Sequence, residues 1–414
     1  MLIIAVLGYG SGIPFTLIFS TFTFNLAENG IKLKDIGLFG AAALPFTIKF
    51  IWSPLVDGYK LPILYKLLGQ RRSWLVLSQI LLVIIIAAFG FLNPQSQLID
   101  IVYLAIILSF VSATYDIAYD AIRVELLKTA EQGAGAGVSV AGYRVGILAA
   151  GGLALILAEL YSWKIAFITI AISMLIPTIA TIFSIEPTKQ NEYQNDGKIH
   201  FAEWFKIYIT EPFSQFAKQN QNWLVIIAFA ILYKIGDALL GKMVNPFYQQ
   251  MGFTKTEVAE ITKVFGFMMT ITGGIIGGWA VYKIGVMRSL LIFGVLQTLS
   301  NLTYVWQAYA GHNIYVLTTV IAVENITGAM GTAAFVAYLS SICNLKYTAT
   351  QYALLTSVAS LGRWLTNFPS GYMVDAEFGL GLSWQTYFVV SVIISIPGLL
   401  LIKYLKIQQL NKNS

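Results

Sequence analysis

The sequence predicts an all-α polytopic membrane protein with twelve transmembrane helices in two six-helix bundles. Three observations carry that reading. Of 414 residues, 57% are hydrophobic and 11% charged, far from the balance of a soluble domain. Apolar runs recur at about the ~20 residues a helix needs to cross a bilayer. One long polar stretch, Glu186 to Asn222, divides those runs into two sets.

The first set falls at 2–27, 36–57, 73–92, 100–125, 137–159 and 164–184; the second at 223–250, 258–283, 289–309, 314–341, 350–373 and 383–403. Polar or turn-forming residues bound each run. The opening, MLIIAVLGYGSGIP, has no charged leading region and no small-residue cleavage pattern, so it is expected to stay as the first span. The dividing stretch reads as a cytoplasmic linker, 186–222, with an amphipathic piece near 201–209 suited to the membrane surface. The bundles then occupy 1–185 and 223–414, the second with a short cytoplasmic tail. One set of connections holds most lysines and arginines, from Lys60, Arg71 and Arg72 through Lys283 and Arg288 to Lys412; the opposite set holds Lys32, Lys34, Lys164 and Lys255. That imbalance puts both termini in the cytoplasm of a multi-pass protein. It also accounts for the net charge of +6, which is therefore no sign of nucleic-acid binding.

Glycines crowd the fifth span (Gly133, Gly135, Gly137, Gly142, Gly146, Gly151, Gly152) and the eighth (Gly273, Gly274, Gly277, Gly278), where small residues let helix backbones approach closely. A single cysteine, Cys343, excludes disulfides within the chain, and the two histidines, His200 and His312, fall in loops. Neither a metal site nor a cofactor is expected. The glycines of GYGSGIP lack the preceding strand and following lysine of a phosphate loop.

Charges inside the spans are few and therefore informative. In YDIAYDAIRVE, Tyr115 to Glu125, the residues Asp116, Asp120 and Arg123 share one helical face. Intramembrane charges are costly, and they pair or line a pathway. An Asp120–Arg123 pair that merely fixes packing leaves Asp116 and Tyr115 unexplained. Lys234 and Asp237 form a second i, i+3 pair. The cations left over, Lys49, Arg144, Lys242 and Arg363, outnumber the remaining acids, which favours an anionic substrate. Asn245, Asn325, Tyr115 and Tyr119 complete the substrate-binding candidates, the tyrosines offering ring faces to a sugar. Proton coupling needs a carboxylate that changes protonation, and Asp116 comes first among Asp120, Asp237 and Glu324.

The second span ends SPLVDGYKLPILYKLLGQRR and the eighth GWAVYKIGVMR, an internal repeat. It resembles the loop signature of the major facilitator superfamily. Asp57, Gly69, Arg71 and Arg72 match it across an insertion, 59–68; in the second half Tyr282 stands where the aspartate would be, leaving Lys283, Gly285 and Arg288. SGIPFTL, IGLFGAAALPFTIKFIWSPLVD, GQRRSW, YDIAYDAIRVELL and EQGAGAGVSVAGYRVGILAAGGLAL resemble, in order and spacing, the muropeptide permeases of the AmpG family, a branch of that superfamily. The C-terminal half matches chiefly through KIGDALLGKMVNPFYQQMGFTKTEVA.

The resemblance implies the major facilitator fold, a monomer, and proton-driven import of anhydro-muropeptides from periplasm to cytoplasm across a bacterial inner membrane. The same branch resembles acetyl-coenzyme A transporters, so another anionic metabolite is the alternative substrate. Asp57, Arg71, Arg72, Arg123 and Glu125, with Lys283 and Arg288, are expected to form a cytoplasmic gate. A membrane-embedded glycan or lipid enzyme would call for a large extramembrane loop with metal ligands, and none is visible.

Overall fold

A computed structural model describes residues 1–31, 42–128, 131–187, 203, 206–220, 222–375, 377 and 379–405, apart from the side chains at 242, 255, 263, 363, 364 and 367–369. Among these residues the secondary structure is helical, without a strand. Among the described residues, ten helices are long and apolar enough to cross a membrane: α1 Leu2–Glu28, α3 Gln70–Phe89, α4 Leu98–Leu126, α5 Gln132–Leu160, α6 Trp163–Ile182, α7 Trp223–Gln250, α8 Thr256–Ile284, α9 Val286–Ala310, α10 Ile314–Ser341 and α12 Trp384–Tyr404. The other two expected spans are interrupted. α2, at 44–58, runs as Leu44–Ile48, a 3-10 turn Lys49–Ile51 and Ser53–Gly58; Pro54 removes a backbone donor and bars its predecessor from easy helix, and Ser53 Oγ donates to the Phe50 carbonyl. The start of that expected span, through residue 41, lies outside the described residues. α11, at 348–374, breaks at Thr366 between Thr348–Leu365 and Asn367–Val374.

Helix starts follow capping chemistry. Ser162, Asn313 and Ser383 precede α6, α10 and α12, and each side chain accepts from a backbone N–H of the first turn, meeting donors that have no partner within the helix.

Contacts group the chain into two compact units, 1–128 with 138–216 and 343–357, and 129–137 with 217–342 and 358–414. The start of α5 thus belongs with the second unit, and the start of α11 with the first. In the first unit α1 packs on α4 and α6, and α3 on α4 and α6, around Phe22, Phe89, Leu108, Phe167 and Met174. α1 and α5 touch almost backbone to backbone: a Cβ on Gly12 would lie 2.1 Å from the Tyr143 carbonyl oxygen, and one on Gly146 2.2 Å from that of Tyr9. Both helices widen to π turns, at Leu17–Thr21 and Ala149–Leu153, and the Thr21 hydroxyl donates to the Ala150 carbonyl at 2.6 Å. This bond meets a carbonyl in the widened turn. In the second unit α10 packs on α8 and α9, and α12 on α7 and α9, around Phe247, Tyr304, Trp384, Tyr387 and Phe388.

Large apolar side chains such as Ile84, Ile156, Ile275, Leu299 and Ile393 stay exposed. On a chain of this composition they are a lipid-facing surface. Positions 201, 202, 204 and 205 of the linker's amphipathic piece lie outside the described residues, while the apolar face of Lys206–Gln219 is covered by protein rather than left for the bilayer, with Ile207, Pro212 and Phe216 buried. Tyr347 Oη donates to Glu211 Oε2 at 2.7 Å, and Gln351 Nε2 to the Pro212 carbonyl at 3.0 Å.

Candidate functional site

α4 carries the polar stripe, and α1 and α2 supply its partners. Ser11 Oγ of α1 donates to Asp116 Oδ1 at 2.6 Å. One turn on, Asp120 stands between two cations, with Oδ2 3.9 Å from Lys49 Nζ and Oδ1 3.5 Å from Arg123 Nη2. Lys49 is buried and sits at the helix break of α2, where the chain leaves the α path. It is therefore not among the unpaired cations, as the sequence suggested, because it shares Asp120 with Arg123. Arg123 also lies under the Tyr352 ring, 5.2 Å from its centroid, a favourable cation–π distance.

Tyr115 and Tyr119 are both buried, Tyr115 at 0% and Tyr119 at 3% exposure. Tyr115 Oη donates to the Leu7 carbonyl at 2.6 Å; Tyr119 Oη lies 3.0 Å from the Ile4 carbonyl and 2.5 Å from Ser139 Oγ. Stacked with an interplanar angle of 16°, they bind α4 to α1. Arg144 is half-buried and has no ion pair among the described residues.

The second unit has its own polar cluster. Lys234 lies where α7 is interrupted between Leu232 and Ile235. Its Nζ donates to Gln297 Oε1 at 2.6 Å and the Gly328 carbonyl at 3.0 Å, with Asp237 Oδ2 at 3.5 Å. This joins α7, α9 and α10. Asn325 holds Glu324 Oε2 at 2.9 Å through Nδ2 and receives the Thr270 hydroxyl at 2.7 Å on Oδ1. Asn245 is exposed and takes no part in either group. The side chains of Lys242 and Arg363 lie outside the described residues.

Three of the five gate candidates of the first half, Asp57, Arg71 and Glu125, form a dense network. Arg71, 1% exposed, donates from Nη2 to Asp57 Oδ1 and Glu125 Oε1, both at 2.6 Å, and from Nη1 to the Val56 carbonyl at 3.1 Å. Its Nε lies 3.1 Å from each oxygen of Glu125. Asp57 Oδ2 accepts from the Thr350 backbone N–H at 2.8 Å and its hydroxyl at 2.6 Å, an anion at the first turn of α11. Glu186 accepts from the backbone N–H groups of Arg71 and Arg72 at 2.7 and 3.1 Å, capping α3. Burial holds the Glu186 carboxyl above its ordinary pKa, against the pull of these bonds. Arg72 donates to the Thr181 and Ile182 carbonyls at the end of α6. In the second half Lys283 and Arg288 are exposed, and neither has an ion pair among the described residues.

Residues 1–366 match the Major Facilitator Superfamily. Among curated relatives, the chain is 37% identical to the anhydromuropeptide permease of Escherichia coli K12, over 97% of this chain and 78% of that one. It is equally identical to the putative transporter AmpG 4 of Rickettsia felis, over 97% and 95%. The chain belongs to the major facilitator superfamily. Within it, these identities place the chain among the AmpG transporters. The fold agrees: the human organic anion transporter MFSD10 (TETRAN) superposes with a TM-score of 0.68 at 12% identity, over 97% of this chain and 98% of that one. The proton:xylose symporter XylE, bound to 6-bromo-6-deoxy-D-glucose, gives 0.64 at 14%, over 95% and 92%.

As an AmpG-type chain of the superfamily the protein is a multi-pass membrane transporter and not an enzyme. Sequence reasoning missed several partners in it. Ser11 lies in the quoted SGIPFTL but carries no charge, and Gln297 and Thr350 are polar residues without a pattern. Glu186 was read as the first residue of the linker. Its place two residues after a predicted span was the one available signal.

Proposed function

We propose that this transporter imports anhydro-muropeptides from periplasm to cytoplasm, driven by protons, by alternating access of two six-helix bundles, 1–185 and 223–414, about a central site. The reading includes a bacterial inner-membrane location, cytoplasmic termini and a functional monomer. The observation that carries it is the Asp116, Asp120 and Arg123 stripe with Lys49 at its side, in a chain 37% identical to an anhydromuropeptide permease. Lys49 and Arg144 attract the carboxylates of the peptide, with Lys242, Arg363 and Asn325 as further substrate contacts. Asp120 is held between two cations, Lys49 and Arg123. Asp116, whose one close partner is a neutral hydroxyl, is the carboxylate suited to exchanging a proton, and Glu324 against Asn325 is its counterpart in the second half. On the cytoplasmic side the Asp57, Arg71 and Glu125 network opens and closes as Thr350 leaves and rejoins Asp57.

The test is uptake of radiolabelled N-acetylglucosaminyl-anhydro-muropeptide into proteoliposomes, with and without an inward proton gradient, beside labelled acetyl-coenzyme A. Accumulation that an uncoupler abolishes is expected. Uptake of the thioester alone overturns the substrate. Asp116→Asn is expected to retain exchange of substrate down its gradient while losing accumulation; accumulation by that variant removes Asp116 as the proton carrier.

A further inference from the structure

The loop after α2 carries an insertion, 59–68, that the superfamily signature does not need, and the charge network around Arg71 uses none of its side chains. The segment reads YKLPILYKLL, without an acid, and Lys60 and Lys66 are exposed. Pro62 and Leu64 close a tight turn, in which the Leu64 N–H donates to the Pro62 carbonyl at 2.7 Å. Ile63 lies between them at φ +66°. That is the strained hand of the γ turn, unusual for any residue with a Cβ and more so for a β-branched one. A short helical turn follows, Leu64–Leu68.

The turn sorts the segment into two sides. Leu61, Leu64 and Leu68 are half-buried, and the helical turn packs on α3. Tyr59, Ile63 and Leu67 stay outside, at 49%, 73% and 73% exposure. Lys60 and Lys66 alternate with them along the chain, Lys60 Nζ lying 4.7 Å from the Tyr65 ring centroid. The segment begins where the lipid-facing surface of the span stops, since Leu55, near the end of α2, is also exposed. An exposed apolar pair and two cations therefore continue the membrane-facing side of α2 past its end.

We propose that the insertion 59–68 is an interfacial anchor that binds anionic phospholipid headgroups. Ile63 and Leu67 enter the acyl boundary beside the end of α2, Tyr59 lies at the headgroup level, and Lys60 and Lys66 reach the headgroup phosphates. Lysines around an apolar pair, with no carboxylate among them, match a lipid surface of negative charge. A protein partner is the poorer occupant, because an interface of about 20–30 residues a side is not built from three apolar side chains and two lysines. Insertion of Ile63 also offsets the strain of its turn. Backbone bonds couple the anchor to the Arg71 network. The Tyr59 carbonyl accepts from Gln70 Nε2 at 2.9 Å and from Trp74 Nε1 at 3.2 Å. Gln70 Nε2 also donates to the Val56 carbonyl, the oxygen that Arg71 Nη1 holds. Anionic lipid on the insertion therefore sets how readily that network opens. This second step rests on the transport reading; the lipid binding does not.

The test places the full chain in nanodiscs of phosphatidylcholine, with and without phosphatidylglycerol, and carries a nitroxide on Ile63→Cys; Cys343 is buried and stays unlabelled. With phosphatidylglycerol the label is expected to collide with oxygen in the acyl region and to be shielded from a nickel chelate in the water. Native mass spectrometry from mixed-lipid micelles should show a preference for phosphatidylglycerol over phosphatidylcholine that falls about fivefold for each of the two lysines changed to glutamine. Lys60→Arg with Lys66→Arg should keep the preference, and so should Lys283→Gln with Arg288→Gln, which removes as many exposed cations elsewhere. A label that stays in water, or a preference unchanged in Lys60→Gln with Lys66→Gln, overturns the inference. So does a label shielded only as chain concentration rises, which assigns the face to a second copy. Muropeptide uptake is measured in proteoliposomes of the same two compositions. An equal response to phosphatidylglycerol in the parent and double-glutamine chains discards the coupling and leaves the anchor standing; lipid binding without muropeptide uptake in either membrane overturns the transport reading alone.

Discussion

The loop after α2 and the loop after α8 come from one repeated pattern, yet only the first has become a network. Each ends an apolar helix, turns at a glycine with positive φ, Gly69 at +83° and Gly285 at +84°, and starts the next helix with cationic residues. In the first, Arg71 is buried between two carboxylates and a third caps the helix. In the second, Tyr282 stands where the acid would be, and Lys283 and Arg288 extend to the surface. The difference teaches that the basic residues alone do not make a network. The acids Asp57, Glu125 and Glu186 tie the basic residues of one loop into contacts, whereas the cations of the other stay exposed.

Removing Arg71 should break the contrast most severely. Arg71→Ala strands Asp57 and Glu125, and loss of one partner from a buried charge network costs about 3–5 kcal/mol. The expected result is a large fall in melting temperature and in membrane abundance. Arg71→Lys should lie between, because an ammonium keeps the charge but lacks the fork that reaches Asp57, Glu125 and the Val56 carbonyl together.

The paired glycines sharpen the comparison. A side chain at either position is strained by the positive φ, by about 1–3 kcal/mol. At Gly69 a Cβ would also lie 2.5 Å from the Glu186 side chain, while nothing lies within 4 Å at Gly285. Gly69→Ala is expected to lower the melting temperature more than Gly285→Ala, and in a Glu186→Ala background, which has already lost the cap, Gly69→Ala should add only the strain. Equal effects of the two single substitutions would show that the cap does not distinguish the loops.

Glu186 gives a smaller, pH-dependent effect. Its folded pKa is raised, so the folded state binds the proton more readily than the unfolded chain does. Its contribution is therefore fully present below the unfolded carboxyl pKa and is lost as pH rises through the folded value. Melting temperature against pH should show this as a shallow fall above the ordinary carboxylate range. Glu186→Gln should flatten it, while the amide oxygen still accepts from Arg71 N–H.

The fold was legible because spans are set by length and apolarity, properties that each segment carries by itself. The interruptions within two of them were not, since Pro54 and the break at Thr366 lie inside runs whose apolar content is unbroken. At the site, charge was legible and partnership was not. Asp120–Arg123 and Lys234–Asp237 could be paired from helical spacing, and both stand at 3.5 Å. Lys49 could not be joined to Asp120, because that contact depends on how α2 breaks. The partners of Tyr115 and Tyr119 were hidden for a related reason: a polar tip in an apolar span can bond a carbonyl of the next helix, which no pattern within one helix reveals.

The smallest effect belongs to Lys283 and Arg288. Exposed cations without a partner among the described residues contribute almost nothing to folding, so the double substitution to alanine should leave the melting temperature unchanged where Arg71→Ala does not. Orientation is a separate matter, because positive-inside bias acts during insertion through charge near a span and needs no folded partner. A cysteine-accessibility map of the double variant should therefore show α8 and α9 with their usual topology only while Lys346 and the tail lysines still supply the bias. A loss of stability with topology intact would mean that Lys283 or Arg288 has a folded partner, and the contrast between the two loops would close.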